Sequence, residues 1–434
     1  MNLNRRHFLG AGALAVPMLT GASKGPSLPL DPGDSKGPLL PPDVESDSKG
    51  PLLTGAGRLA AQGWKPLAGR KVGVLSNPTG VLADGDHIVD SMVAAGVRPV
   101  AAFGPEHGFR GSAQAGGSEG DYTDPRTGVP VYDAYGVDAT KLASLFTKAG
   151  VDTVVFDIAD VGARFYTYIW SLYTAMVAAA KTGAAFVVLD RPNPLGGKLS
   201  GPVLDPKFAS GVGRKPIAQQ HGMTVGELAR FFAAEFLPGE GVALAKLDVV
   251  PVRGWRRDTL FARTGLSWVL PSPNMPTPDT ALVYPGTGMF EGTVFAEGRG
   301  TTRPFEIIGA PGLDWRWREK LTELQLPGAR FREVYFVPTF SKFVNQTCGG
   351  VQVSITDAGA FDAIRTAVAM FVTAKALHPD KFAWRPDHYI DLLSGSDRLR
   401  TMIDSGAGVD EIIGSWQAEL HEFDLKRRRH LIYR

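Results

Sequence analysis

Lys71-Val-Gly-Val-Leu-Ser76 is a short apolar run that ends abruptly in the polar sequence Asn77-Pro-Thr-Gly80. Continuous apolar runs of this length, bounded by Pro and Gly, are typical of strands buried on both faces of a parallel sheet. Three further runs follow: Pro99-Val-Ala-Ala-Phe103, Val151-Asp-Thr-Val-Val-Phe156 and Ala184-Ala-Phe-Val-Val-Leu189. Together they predict four strands of one parallel sheet.

Helical patterns separate these predicted strands, near residues 86–95, 138–149 and 167–182. The last places Leu172, Met176 and Ala179 or Ala180 along one face. Strands that alternate with helices predict a doubly wound α/β sheet. Because 434 residues exceed one ordinary core, we expect a second, smaller α/β or α+β domain and a cleft between the two.

Each predicted strand runs directly into polar residues. In open α/β sheets, ligands bind beyond the carboxyl ends of the strands, so these polar segments are expected to converge on one pocket. The candidate residues that follow the strands are Asn77, Glu106, His107, Arg110, Asp160, Arg164, Asp190, Arg191 and Asn193.

The glycines after the strands form no nucleotide-binding motif. The first strand is followed by Asn-Pro-Thr-Gly rather than Gly-x-Gly-x-x-Gly, and no Walker sequence occurs, so we expect neither NAD nor ATP. No His-x-x-x-His pair or cysteine cluster indicates zinc. We therefore predict no cofactor and no metal, with a divalent cation at Asp157, Asp160 and Asp190 as the weaker alternative, because strand-end carboxylates also suit hard cations.

The second half contains Pro- and Gly-rich loops with polar residues, which position functional groups better than they build cores. The candidate pocket residues in this half are His221, Asn274, Glu291, Glu297 and Arg299. Thr224 and Glu227 instead form a predicted capping box for a helix over residues 225–236, so we predict a structural role for Glu227.

The N-terminal residues have the layout of a twin-arginine export signal. Arg5 and Arg6 precede a small-residue apolar run from Leu9 to Thr20, which is too short for a membrane-spanning helix. We predict a removable signal over residues 1–22, no transmembrane anchor, and an exported protein that is periplasmic or secreted. Repeated Ser-Lys-Gly-Pro predicts a disordered linker over residues 23–57, followed by domains at 58–245 and 246–434, the second closing the cleft.

Charge and cysteine content bear on two further questions. A formal net charge of +2 gives no sign of a nucleic-acid surface. The single cysteine, Cys348, permits no intramolecular disulfide, which suits a protein that folds in the cytoplasm before twin-arginine export.

Several unusual motifs occur in a fixed order along the chain: Ser76-Asn-Pro-Thr-Gly80, Phe103-Gly-Pro-Glu-His-Gly-Phe-Arg-Gly111, Asp160-Val-Gly-Ala-Arg-Phe-Tyr-Thr-Tyr168, Leu189-Asp-Arg-Pro-Asn-Pro194, His221-Gly-Met-Thr224, Pro271-Ser-Pro-Asn-Met-Pro276 and Glu297-Gly-Arg-Gly-Thr301. From about Leu59 to the C-terminus, the sequence resembles the exo-β-N-acetylmuramidase family. The resemblance implies a Rossmann-like catalytic domain with a second domain. It also implies removal of N-acetylmuramic acid from the non-reducing ends of peptidoglycan fragments that lack the stem peptide. Ala159, where the family usually has Gln, and Ala296, where it usually has Ser, depart from the pattern.

Glycosidic cleavage needs a proton donor and a group that stabilises or traps positive charge on the sugar. Glu106 follows a strand and lies in the motif that holds the family's proposed catalytic Glu, so it is the predicted donor, with His107 either orienting it or holding its loop. Asp160 is our first choice for the second carboxylate, and Glu297 and Glu291 are the next choices. The N-acetyl group of the substrate is an alternative nucleophile, and the sequence leaves this choice open.

Muramic acid carries a lactyl carboxylate, which calls for an arginine. The candidates are Arg110, Arg164, Arg191 and Arg299. Tyr166 and Tyr168 are expected to contact the sugar or to belong to the core, and Asn77, Asn193 and Asn274 to bind hydroxyls or to form turns. The competing functions are a non-catalytic binding protein for muropeptides or sugars and a metal-dependent hydrolase of another cell-wall bond.

Overall fold

A computed structural model describes residues 51–434. The predicted export signal and residues 23–50 of the predicted linker lie outside the described residues. The strands are β1 (Val72–Ser76), β2 (Ala101–Gly104), β3 (Tyr122–Thr123), β4 (Pro130–Asp133), β5 (Thr153–Asp157), β6 (Ala185–Leu189), β7 (Ser200–Val203), β8 (Ala218–Gln220), β9 (Leu247–Val250), β10 (Ile307–Ala310), β11 (Ala329–Phe336) and β12 (Cys348–Ile355).

The helices of the described residues are α1 (Gly55–Ala60), α2 (Ile88–Ala94), α3 (Ala139–Ala149), α4 (Tyr168–Thr182), α5 (Val225–Glu235), α6 (Pro278–Thr287), α7 (Arg316–Glu323), α8 (Ala363–Leu377), α9 (Tyr389–Ser394), α10 (Arg398–Asp404), α11 (Val409–Gly414) and α12 (Gln417–Arg427). None of the helices within residues 51–434 is long and apolar enough to cross a membrane.

The main sheet has the strand order β3-β4-β2-β1-β5-β6-β9. Neighbouring strands are parallel except β3 and β4. Numbered along the chain, the parallel strands follow the 3-2-1-4-5-6 order of the Rossmann fold, which reverses between β1 and β5. The predicted parallel strands β1, β2, β5 and β6 are confirmed, and β4 and β9 extend the sheet on either side.

Both faces of this sheet are covered, which explains why its strands are apolar throughout. Val74, Val155 and Val187 face a core shared with α1 and α2. Phe156 and Val188 face the opposite core, shared with α3, α4 and α5. Because successive side chains of a strand point to opposite faces, a strand in the middle layer needs apolar residues at every position.

The predicted linker, which was expected to reach residue 57, ends earlier, because α1 already begins at Gly55. Thr54 caps α1, whose Ala56 and Leu59 are fully buried against the main sheet. Gly55 is required at the contact, since a Cβ there would lie 2.3 Å from the carbonyl oxygen of Val250. Residues 51–57 therefore belong to the fold because they cover one edge of its core.

The second part of the fold contains the antiparallel sheet β10-β12-β11, with α7 and α8 packed near it. This confirms a second, smaller domain beside the Rossmann-like one. Strand β9 lies beyond residue 245, where the sequence predicts the first domain to end, and it pairs with β6 in the main sheet. The main sheet therefore extends past that predicted boundary.

Candidate active site

A cavity of about 120 Å³ lies where the loops after β2 and β5 meet residues of the second half. We call it the inner cavity. The structure brings together in its wall the predicted residues Glu106, His107, Tyr166, Tyr168, Asn274, Glu291 and Arg299. This is the end of the sheet at which ligands bind in doubly wound folds.

Glu106 lies at the wall of the inner cavity and accepts two hydrogen bonds. The backbone N–H of Gly116 donates to Oε1 at 2.9 Å, and the hydroxyl of Thr167 donates to Oε2 at 3.2 Å. A hydroxyl can donate to a carboxylate or accept from a carboxylic acid, so the contact with Thr167 suits both protonation states of Glu106. A group with two usable protonation states is what general acid catalysis requires.

His107 holds the loop that carries Glu106. Its backbone has a φ of 70°, in the left-handed region, and its N–H donates to the carbonyl of Gly117. The ring Nδ1 lies 3.1 Å from the carbonyl oxygen of Ala113 and must be the donor in that contact. Of the two roles predicted for His107, the structure therefore shows the loop-holding one, although its ring also lines the inner cavity.

Asp160 follows β5 and is oriented by His221. Its Oδ2 accepts from the backbone N–H of Gly162 at 2.8 Å and lies 3.0 Å from Nε2 of His221. The N–H of Met223 donates to Nδ1 of His221, which makes Nε2 the protonated nitrogen. His221 is completely buried, so it acts on Asp160 rather than on a ligand.

One buried polar atom beside this region, Asp160 Oδ1, has no hydrogen-bond partner within the described residues. The side-chain oxygen Oδ1 of Asn77 accepts from the N–H and the hydroxyl of Thr79, and the Asn77 side chain also contacts Tyr168. Burial raises the pKa of Tyr166 well above its usual range, and the nearby Tyr168 and Asp160 add to this rise. An unpaired buried carboxylate oxygen is costly. Asp160 lines a separate cavity of about 90 Å³, together with Thr79 and Arg191, and not the inner cavity.

The other two carboxylate candidates are paired with cations. Arg299 donates from Nε to Glu291 at 3.0 Å, and the same nitrogen lies 3.4 Å from Glu297. Lys342 lies 2.9 Å from the buried Glu297, which does not line the inner cavity. Burial raises the pKa of Glu291, while Arg299 opposes the rise. Glu297 is thus a structural anion that helps to hold Arg299.

The structure places Arg110 and Arg164 away from the inner cavity, contrary to their predicted role in substrate binding. Arg110 pairs with Asp90 and Asp124 at 2.8 Å each. The guanidinium of Arg164 is completely buried and donates to the carbonyl oxygens of Pro202, Ile217 and Leu393. Burial lowers the pKa of Arg164 to about 9. Both side chains are used in holding the chain together.

The polar residues that follow β6 are structural for a similar reason. Arg191 makes a two-point ion pair with Asp157, and Asn193 bonds the backbone of Leu195 and Met223. Asp190 is buried and accepts from the backbone N–H groups of Arg191 and Gly226 and from the hydroxyls of Thr224 and Tyr433. The predicted contacts of Asp190 and Asn193 with substrate are corrected accordingly, whereas Arg191 also lines the cavity of about 90 Å³ that contains Asp160, and its predicted contact stays a prediction.

These pairings also bear on the weaker metal hypothesis. Asp157, Asp160 and Asp190 are each bound to different partners, an arginine, a histidine and a set of hydrogen-bond donors. Within residues 51–434, no group of three or more His, Cys, Asp or Glu side chains is arranged to hold a metal ion. Glu227 forms the predicted capping box with Thr224, which confirms its structural role.

Some cavity residues were missed by the sequence reasoning. Thr167 and Ser272 lie within the motifs Asp160–Tyr168 and Pro271–Pro276, so the sequence could have identified them as candidates. Tyr284 gave no such signal, because it lies in the buried helix α6 and has the pattern of a core residue. Its ring packs edge-on against Tyr166 at 5.7 Å, and both rings line the inner cavity.

Comparison with known proteins covers both halves of the chain. The family description "Exo-beta-N-acetylmuramidase NamZ, N-terminal" matches residues 72–279, and its C-terminal counterpart matches residues 282–433. A peptidoglycan beta-N-acetylmuramidase NamZ of Bacillus subtilis (strain 168) is 44% identical over 397 residues, which cover 90% of this chain and 94% of that protein.

Two solved structures of DUF1343 family proteins from Bacteroides fragilis NCTC 9343 are also similar. One has a TM-score of 0.80 at 32% identity and covers 88% of this chain and 99% of that one. The other has a TM-score of 0.72 at 30% identity, with 89% and 99% covered. With both family descriptions matched in order on a Rossmann-like fold, the chain belongs to the exo-β-N-acetylmuramidase family.

Proposed function

We propose that the protein is an exo-acting β-N-acetylmuramidase, which hydrolyses terminal N-acetylmuramic acid from the non-reducing ends of peptidoglycan-derived saccharides in cell-wall turnover. The observation that carries this proposal is Glu106, held by Thr167 and Gly116 at the wall of the inner cavity. Family membership and the activity named for the Bacillus subtilis relative support the same reaction. A binding protein would need no carboxyl group with these contacts.

Glu106 is the general acid in this proposal. Its carboxyl proton passes to the glycosidic oxygen as the bond to the sugar breaks, so the departing saccharide leaves with a neutral hydroxyl. Glu106 becomes a carboxylate, which the Gly116 N–H and the Thr167 hydroxyl stabilise. It recovers a proton when water completes the hydrolysis.

Asp160 is the group that we assign to the positive charge left on the sugar. His221 and Gly162 hold one of its oxygens, and Oδ1 is left unpartnered. That oxygen can trap the sugar directly, or it can accept the acetamido N–H while the acetamido oxygen attacks. Both routes need a negatively charged oxygen at the position of Oδ1. The contact of His221 with Oδ2 matters because it fixes the carboxylate so that Oδ1 stays at that position.

Substitution of Glu106 tests the proposal. Glu106→Gln keeps the size of the side chain and removes the transferable proton, so we expect kcat on a chromogenic muramide and on muramyl-glucosamine to fall by about 10²–10⁴-fold. Thermal unfolding should be unchanged, and the exposed control Glu323→Gln should retain full activity.

Full activity of Glu106→Gln would contradict the catalytic assignment. Tight sugar binding by the wild type without turnover would favour the non-catalytic alternative instead.

We also propose that the protein is exported through the twin-arginine route to the periplasm or the outside of the cell. The proposal is supported by Arg5 and Arg6 before the apolar run from Leu9 to Thr20. Arg5→Lys with Arg6→Lys should retain the protein in the cytoplasm, as measured by cell fractionation. Export of the double variant at the wild-type rate would overturn the proposal.

A further inference from the structure

A second cavity, of about 430 Å³, shares Glu106 and Thr167 with the inner cavity. We call it the outer groove, bounded by Glu106, Tyr135, Ser171, Arg214 and Tyr389. Glu106 therefore stands at the wall common to two spaces. A general acid in glycosidic cleavage acts on the oxygen that joins two sugars, so it belongs at such a boundary.

The two spaces differ in the residues that line them. The inner cavity is lined largely by buried aromatic side chains, among them Phe165, Tyr166 and Tyr284, and the exposed Ala115 lies at its rim. The outer groove is bordered by exposed residues, including Tyr135, with 38% of its surface exposed, and Arg214. An exo-acting enzyme needs a blind space for the terminal sugar and an open path for the rest of the glycan.

The floor of the outer groove is a polar stripe on an otherwise apolar helix. Thr167, Ser171 and Thr174 lie four and three residues apart at the start of α4, and all three line the outer groove. This spacing places them on one face of a helix. From Thr167 to Thr174 the helix rises by roughly 10 Å, so the stripe leads away from Glu106 past more than one sugar ring.

Arg214 lies at the far end of this stripe. Its Nη1 donates to the hydroxyl of Thr174 at 2.7 Å. Among residues 51–434 no carboxylate pairs with it, and the neighbouring Lys215 already pairs with Glu240. An arginine that is positioned by a hydroxyl and has no acidic partner is suited to bind an anionic group of a ligand.

We propose that the outer groove binds the leaving part of the glycan. The glucosamine ring lies beside Thr167 and Ser171, and Arg214 binds the lactyl carboxylate of the next muramic acid. This inference rests on the proposed function and extends it to the substrate beyond the broken bond. It also predicts a preference for glycans in which that carboxylate is free.

Three substrates separate the subsites: an aryl muramide, the disaccharide muramyl-glucosamine, and the trisaccharide that carries a second muramic acid. For Arg214→Ala, KM for the trisaccharide should rise about tenfold or more relative to KM for the aryl muramide, because a charge-assisted hydrogen bond is lost. Arg214→Lys should recover part of this difference. The control Arg126→Ala removes an exposed arginine that does not line the outer groove, and it should leave the ratio of KM for the trisaccharide to KM for the aryl muramide unchanged.

A change on the substrate gives a second measurement that does not depend on folding of the variant. Methyl esterification of the second lactyl group should raise KM of the wild type for the trisaccharide to the level of Arg214→Ala. Equal effects of Arg214→Ala on all three substrates, or none on any, would overturn the subsite. A wild type that cleaves none of the three would overturn the proposed function itself, and the subsite with it.

Discussion

At the scale of single residues, the histidine of the Asp160–His221 pair determines what the aspartate can do. Met223 fixes the ring so that Nε2 donates, and the carboxylate cannot turn without losing both this contact and the Gly162 N–H. The remaining oxygen, Oδ1, is buried and unpartnered. Burying an unpaired carboxylate oxygen lowers the stability of the fold, and it leaves one hydrogen-bond acceptor fixed in position before a ligand binds. Such preorganised groups are typical of active sites.

Asp160→Asn tests this acceptor with little change in shape. The amide oxygen can keep the contacts to His221 and Gly162, while NH₂ replaces the unpartnered Oδ1 and the charge is lost. We expect kcat to fall by about 10²-fold or more, since electrostatic stabilisation of the transition state is removed. Steady-state kinetics on the chromogenic muramide, with a circular dichroism melt as the folding control, measure it. Unimpaired turnover would show that another group faces the sugar.

The sequence singled out the right loops but could not tell which way individual side chains turn. From their positions in the motifs alone, Arg110, Arg164 and Arg299 were equally good candidates for binding the lactyl carboxylate. Only the packing of the folded chain distinguishes them. Arg164 donates hydrogen bonds to three backbone carbonyl oxygens, Arg110 forms ion pairs with two aspartates, and Arg299 lines the inner cavity. Side-chain direction depends on neighbours from distant parts of the chain, and no local pattern encodes it.

At the scale of elements, His87 is one of the residues that join α2 to the loop after β1. His87 caps α2, with Nδ1 accepting from the N–H of Val89, and its Nε2 lies 3.1 Å from the carbonyl oxygen of Asn77. These contacts require a neutral ring, because protonated Nδ1 cannot accept. Burial, assisted by the positive charge of Arg110, lowers the pKa of His87 to about 4.

This histidine predicts a loss of stability in acid. Since His87 has a pKa of about 4 in the fold and about 6.5 in an unfolded chain, the unfolded state binds more protons between these values. Its contribution to the free energy of unfolding is complete above about pH 6.5 and is lost as the pH falls through about 4, by about 3 kcal/mol in all.

His87→Asn keeps a capping side chain and cannot titrate, so its stability should fall less over the same range. Urea unfolding at about pH 7 and about pH 4.5 measures the difference, with the exposed His421→Asn as the control expected to follow the wild type. Parallel curves for His87→Asn and the wild type would refute the assignment.

The strands were predictable to the extent that both their faces are buried. β1, β2, β5 and β6 stand in the middle of the sheet and are apolar at almost every position, which a sequence pattern reveals. β4 and β9 lie towards the edges and are only partly buried, so their alternating or mixed residues do not stand out. Pairing with a neighbouring strand, rather than local composition, makes them part of the sheet.

At the scale of the whole molecule, a segment far along the chain completes the Rossmann-like domain. The hydroxyl of Tyr433 donates to Asp190 at 2.6 Å and accepts from the N–H of Val252 at 2.7 Å. The N–H groups of Ile432 and Tyr433 both donate to Glu227 at the start of α5. Residues 243 positions apart therefore share one buried hydrogen-bond network.

Tyr433→Phe should destabilise the protein by about 2–3 kcal/mol. The substitution leaves the shape of the ring but removes a donor to a buried carboxyl group and strands the N–H of Val252. Urea denaturation measures the effect, and Tyr335→Phe, whose hydroxyl is on the surface, should cost no more than about 0.5 kcal/mol. If Tyr433→Phe lowered the free energy of unfolding by no more than Tyr335→Phe does, the Tyr433 network would contribute little to stability.

The Tyr433 network has a consequence for how this chain can vary. The two family descriptions meet between residues 279 and 282, which invites recombination of halves from different relatives at that point. Such a chimera would inherit Asp190 and Glu227 from one parent and the segment that satisfies them from the other. A chimera whose C-terminal parent lacks a tyrosine at position 433 would leave buried Asp190 and the N–H of Val252 without this partner, so a junction between the two halves must preserve that residue.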